Sequence, residues 1–203
     1  MCDVKNHYTE YAEAESVLRR FGVGKEMPGF EYLRTGAVIA KVDGIKSEEE
    51  LLKQIEEQCF VVRSQFVKKH APVKQHMLEA IRSVSKTDRK LTISDFIERM
   101  VWVMETDKEY ANAEVILKQQ MGINRNMPGF EYLCTGVVIA KVNGFESKED
   151  LVQQIDDQCF LAREENHSPI KTLMLEAIRN SRVANEDITT FIENVVSQMW
   201  RVN

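Results

Sequence analysis

Apolar residues recur at three- and four-residue spacing through most of the chain, the period of helices that bury one face. Residues 11–21 (YAEAESVLRRF) and 110–121 (YANAEVILKQQM) predict helices, each followed by a glycine, Gly22 or Gly122, suited to a C-terminal cap. Pro28 and Pro128 fit the first turn of a helix, where the missing N–H is not needed, and predict helices running through Val42 and Val142. The β-branched residues Val38, Ile39 and Val42 would also suit a strand, but Phe30, Leu33, Ala37 and Ala40 keep helical spacing and the proline favours a helix. Ser47 with Glu50 reads as a capping box, and Ser147 with Asp150 as a weaker version. The helix that follows carries Leu51, Ile55, Cys59 and Val62 on its apolar face. Beyond a short turn, a further helix starts near Pro72 and again near Pro169. Its stripe is Val73, Met77, Ala80, Ile81 and Val84 in one place, and Ile170, Met174, Ala177, Ile178 and Ser181 in the other. Thr92 and Asp187 are placed to cap the last helices, which carry Phe96, Ile97 and Val101, or Phe191, Ile192 and Val196.

The pattern is therefore a duplication. Residues 27–44 (MPGFEYLRTGAVIAKVDG) and 127–144 (MPGFEYLCTGVVIAKVNG) agree at 15 of 18 positions, and extension to Phe60 and Phe160 gives 23 identities in 34. A unit of roughly one hundred residues has the size of a domain and exceeds solenoid repeats. The expected architecture is all-α: two tandem domains, 1–105 and 106–203. Only Glu105, Thr106 and Asp107 separate the last helix of the first copy from the first helix of the second, which predicts a fixed junction with the two helices nearly continuous.

Composition adds exclusions. With 43% hydrophobic and 29% charged residues the chain is an ordinary globular sequence. It has no run of about 18 apolar residues and no basic segment leading into an apolar one near Met1, so a cytoplasmic location without membrane contact is expected. The net charge of -5 lies wholly in the second half: Lys and Arg against Asp and Glu number 17 to 17 over 1–105, and 10 to 15 over 106–203. A nonspecific polyanion binder would carry a basic balance, which argues against strong DNA binding. Cys2, Cys59, Cys134 and Cys159 show no CxxC spacing, and the equivalent Cys59 and Cys159 read as buried thiols, not as metal ligands or a disulfide. His70 and His167 sit just ahead of a helix and read as turn residues. No glycine-rich phosphate loop, HExxH or GxSxG occurs, so neither an enzyme nor a cofactor or metal is expected. The run Glu48, Glu49, Glu50 suits the first turn of a helix, where carboxylates meet the positive end of the dipole.

Two helices joined by a short turn, 48–66 and 72–84, have the order of a helix-turn-helix, whose second helix enters the major groove. Opposite the core stripe of that second helix lie Gln75, Glu79 and Arg82, flanked by Lys74 and preceded by Lys68, Lys69 and His70. From Arg63 to Arg82 basic residues outnumber acidic ones five to one, whereas Arg163 to Arg179 has three of each. The candidate DNA contacts are thus Lys68, Lys69, His70, Lys74, Gln75 and Arg82. Equally, Lys68 and Lys69 suit a helix C-terminus, where cations complement the dipole.

The run LRRFGV, then MPGFEYLR, CFVVRSQF, VKQHMLEAI and TISDFIERMV resembles the C-terminal effector domain of the stage zero sporulation response regulator family of spore-forming Firmicutes. The resemblance spans nearly the whole of each repeat and is strongest at Gly29 to Arg34; Cys134 replaces the arginine in the second copy. It implies an all-α DNA-binding domain of about six helices containing a helix-turn-helix, here duplicated and expected to act without the family's receiver domain. The arginines that the family presents on its recognition helix fall at Pro72 and Pro169, Gln75 and Thr172, and Leu78 and Leu175, while Ser168 matches a family serine. The second copy is also three residues shorter between Phe160 and His167 than the first between Phe60 and His70. The expected function is a tandem, nonenzymatic transcription regulator that binds double-stranded DNA through its first repeat with weak or altered specificity. The alternative is a degenerate pair that has lost DNA binding and acts through a protein partner.

Overall fold

The computed structural model describes residues 7–63, 73–85, 91–159 and 170–202, and all regular structure among them is helical. The chain divides into two compact units, Met1–Glu105 and Thr106–Asn203. The first holds α1 (Tyr8–Arg20), α2 (Phe30–Asp43), α3 (Glu48–Arg63), α4 (Val73–Val84) and the start of α5 (Ile93–Ile116). Helix α5 crosses the boundary unbroken. In the second unit its end leads into a π-helical turn (Leu117–Met121), then α6 (Phe130–Val142), α7 (Lys148–Gln158), α8 (Ile170–Arg179) and α9 (Ile188–Val202). Among the described residues each unit thus has five α-helical segments where about six were expected.

The most closely repeated segment forms the central helix of each unit. Every residue from Phe30 to Ala40 is buried except Glu31 and Arg34, and every residue from Phe130 to Ile139 except Glu131. A helix apolar on all sides must be packed on all sides, and this burial outweighs the strand preference of Val38 and Ile39. Close packing also needs Gly36: a Cβ there would lie 2.8 Å from Ile97 Cδ1 and 2.9 Å from Ile55 Cδ1, and Gly136 stands in the same relation to Ile192 and Ile155. The expected core stripes of α4 and α8 are buried at Val73, Met77, Ala80 and Ile81, and at Ile170, Met174, Ala177 and Ile178; Val84 and Ser181 are only half-buried. On α5 the buried face is Ile93, Phe96, Ile97 and Met100, with Val101 half-buried, and α9 repeats this with Val196.

Pro28 does not open α2, as its position had suggested. The helix starts at Phe30, and the preceding residues form a turn in which the Phe30 N–H donates to the Met27 carbonyl at 3.2 Å. Gly29, with φ 94° and ψ -14°, occupies the position that a type II turn reserves for glycine, behind a proline at the position before it. Gly129 repeats this with φ 86° and ψ -8°. The motif Met-Pro-Gly-Phe is a turn signal, and the proline sets the turn, not the helix.

The C-terminal glycines act as read. At the end of α1 the Gly22 N–H donates to Arg19 and the Val23 N–H to Leu18, at 3.1 and 2.9 Å, the paired bonds of a Schellman cap. The second copy has one residue more here: Lys118, Gln119 and Gln120 stand against Arg19 and Arg20 between the equivalent leucine and cap. Its closing bond runs from the Ile123 N–H to the Leu117 carbonyl, six residues apart instead of five, and the surplus is taken up by the π-helical turn. A chain lacking Gln120 is therefore expected to replace the π turn with α-helix and keep its stability within about 1 kcal/mol, read from a thermal melt followed by circular dichroism. Loss of folding would show that the extra residue is not a simple insertion.

The helix starts are capped largely as predicted. The Glu50 and Asp150 N–H groups donate to Ser47 and Ser147 Oγ at 3.2 and 3.1 Å. Thr92 and Asp95 exchange reciprocal bonds of 3.0 and 3.1 Å. The Asp187 carboxylate accepts from the Thr190 hydroxyl and from the Thr189 and Thr190 amides, which together hold its carboxyl below the usual range.

Candidate nucleic-acid interface

Helix α4 carries the candidate face. Its burial of Val73, Met77, Ala80 and Ile81 turns Lys74, Gln75, Glu79, Arg82 and Ser83 to the exterior. Lys74, Gln75 and Arg82 thus share one exposed surface, whereas Lys68, Lys69 and His70 lie outside the described residues, as does the turn between α3 and α4. In α8 the corresponding surface holds Lys171, Thr172, Glu176 and Arg179.

Carboxylates occupy this face more than the sequence suggests. The Lys74 Nζ donates to Glu48 Oε1 at 2.8 Å, and this bond raises the lysine's pKa above its ordinary value. The Lys74 side chain is still 57% exposed, and a pair that open to water contributes little. Gln75 Nε2 donates to Glu79 Oε1 at 2.9 Å. The other Glu79 oxygen lies 3.5 Å from His76 Nδ1, and the His76 ring stacks on Tyr32 of α2, centroids 6.4 Å apart at 24°. Linear sequence hides Glu48 and Tyr32, which reach α4 only through the fold. Helix α3 exposes Glu49, Glu50, Lys53, Glu56 and Glu57, an acidic surface next to α4 in the chain.

Elsewhere the copies differ around one substitution. The Arg34 guanidinium lies over the rings of Tyr11 and Phe30, 5.2 and 5.9 Å from their centroids, and pairs with Glu31 and Glu15 at 2.5 and 3.3 Å. With Cys134 in that place, the Tyr110 hydroxyl donates instead to Glu131, while Glu114 pairs with Arg125 at 2.6 Å as Glu15 pairs with Lys25 at 2.8 Å in the first copy. Burial pushes the thiols of Cys134 and Cys59 upward, which keeps them protonated and weakly nucleophilic. Cys159 is buried and Cys59 half-buried; their thiols sit 3.2 and 3.7 Å from the hydroxyls of Thr135 and Thr35, on the central helices. A polar cleft of about 250 Å³ lies between the end of α2 and α3, lined by Asp43, Lys46, Glu50 and Gln54 among others, with no part of α4 in its wall. Among the described residues no group of acidic, histidine or cysteine side chains is placed to hold a metal ion, and no helix is long and apolar enough to cross a membrane.

No protein-family model, curated protein or solved structure matches the chain.

Proposed function

We propose that the protein is a tandem, nonenzymatic transcription regulator of the cytoplasm whose first unit binds double-stranded DNA with weak affinity. Helix α4 is the element offered to the major groove, and Lys68, Lys69, His70, Lys74, Gln75 and Arg82 are the contacting residues. The observation that carries this reading is the division of α4 into a buried apolar stripe and a continuous exposed polar face beginning at its second residue, Lys74. Residues near the start of a recognition helix are the ones that reach base edges. The exposed Lys74–Glu48 pair exchanges readily for a phosphate, because surface pairs contribute at most about 1 kcal/mol. The resemblance of each repeat to a sporulation effector domain supports the same class.

A second reading, a degenerate pair acting through a protein partner, is favoured by the exposed glutamates of α3, which repel phosphates where a helix-turn-helix lays its first helix across the backbone. Salt dependence separates the two. For about three phosphate contacts, affinity for duplex DNA is expected to fall some 40-fold between 50 and 200 mM salt, and replacing Lys68 and Lys69 with alanine to lower the log–log slope by about 2. Absence of binding at 50 mM salt would leave the protein-contact reading.

A further inference from the structure

We infer that the first unit carries a base reader which the second lacks: Gln75, positioned by Glu79, recognises the adenine of an A·T pair in the major groove. The inference rests on the DNA-binding reading and deepens it. Gln75 is the third residue of α4, exposed, and on the face that a groove-bound helix turns to base edges.

The chemistry follows from counting donors. A glutamine amide has two N–H donors and a carbonyl acceptor. One donor is taken by Glu79 Oε1 at 2.9 Å, and this orientation of the amide is forced, because an ionised carboxylate only accepts. What remains is one N–H and one carbonyl oxygen. Adenine offers an acceptor at N7 and a donor at N6, the complement of that pair. Guanine offers two acceptors, N7 and O6, and the single remaining N–H satisfies only one of them.

The second oxygen of Glu79 lies 3.5 Å from His76 Nδ1 without a hydrogen bond, and the His76 ring stacks on Tyr32, which is 2% exposed and belongs to the central helix. A long polar side chain normally loses rotamer freedom when it binds, and the exposed bond to Glu79 takes part of that loss on folding. In the second unit Thr172 stands for Gln75 and Leu173 for His76, although Tyr132 and Glu176 remain. The reader is thus absent from the second copy through two substitutions on α8, one of which also removes the link to the tyrosine of the central helix.

The test selects binding sites for the full chain from a randomised duplex library at 50 mM salt. Affinities for the best duplex, and for that duplex with each A·T changed to G·C, are then measured for wild type, Gln75→Ala, Gln75→Arg and Glu79→Ala. At one A·T pair the wild type is expected to lose about tenfold on the change, roughly 1.4 kcal/mol. Gln75→Ala should abolish that ratio, and Gln75→Arg should reverse it in favour of G·C. Glu79→Ala should shrink the ratio while raising affinity for every duplex, since a carboxylate near phosphate is removed; a merely structural role for Glu79 would leave the ratio intact. Unaltered circular dichroism confirms that these exposed substitutions leave the fold alone. Binding without a Gln75-dependent A·T preference overturns this inference and spares the DNA-binding reading; no binding to any duplex overturns both.

Discussion

Alanine at Gly29 is expected to destabilise the protein by roughly 3 kcal/mol, although it adds a single methyl group. Gly29 has φ 94°, a left-handed conformation that costs a side-chain-bearing residue about 1–2 kcal/mol. Its Cβ would also stand 2.7 Å from the carbonyl carbon of His76 and 3.0 Å from the Met77 nitrogen. These are backbone atoms of α4, so relief requires moving the helix. Gly122 separates the two effects: it too is left-handed, with φ 76° and ψ 15°, but a Cβ placed there would meet only the Arg182 side chain, at 3.5 Å, an ordinary contact. Gly122→Ala should therefore cost only about 1 kcal/mol. Urea-unfolding midpoints of the two variants provide the measurement, and equal losses would show that the approach of α2 to α4 is not tight. Gly129 repeats the approach against Leu173, with the carbonyl carbon at 2.6 Å, and Gly129→Ala should behave like Gly29→Ala.

The second large effect is expected at Phe96, which is completely buried and meets the Phe21 ring edge-on, centroids 5.6 Å apart at 78°. Phe96→Ala removes the ring and leaves a cavity that neighbouring helices fill only in part, at a cost of about 3–5 kcal/mol. Domains hold only about 5–15 kcal/mol in total, so the variant should lie close to its unfolding transition at room temperature. A double-mutant cycle with Phe21→Ala should return a coupling of about 0.5–1.5 kcal/mol for the ring pair. A coupling of zero would mean that the two rings are merely neighbours in a generic core. Both substitutions lie away from the exposed face of α4, so their effects are read as stability and not as binding.

Much of the fold is legible from the sequence because the signals are local. The caps at Ser147, Thr92 and Asp187 and the closing glycines Gly22 and Gly122 act within a few residues of themselves, and the stripes of α4 and α8 follow from helical periodicity alone. Pro28 was misread because a proline before a helix satisfies two local rules, and only the left-handed glycine after it distinguishes a type II turn from a first helical turn. The candidate site was legible in part. Side-chain pattern placed Lys74, Gln75 and Arg82 on the solvent face of α4, but could not show that Lys74 meets Glu48, 26 residues earlier, or that Tyr32 supports His76.

By itself, then, the sequence determined that the chain is helical, that it is written twice, and which face of each surface helix is apolar, since these depend on periodicity and on neighbours along the chain. Tertiary structure decided which helix lies at the centre, why Gly29 and Gly36 tolerate no side chain without a shift, and which carboxylates hold the polar groups of α4. Those properties arise from contacts between residues distant in sequence, and no local pattern encodes which partners the packing of helices brings together.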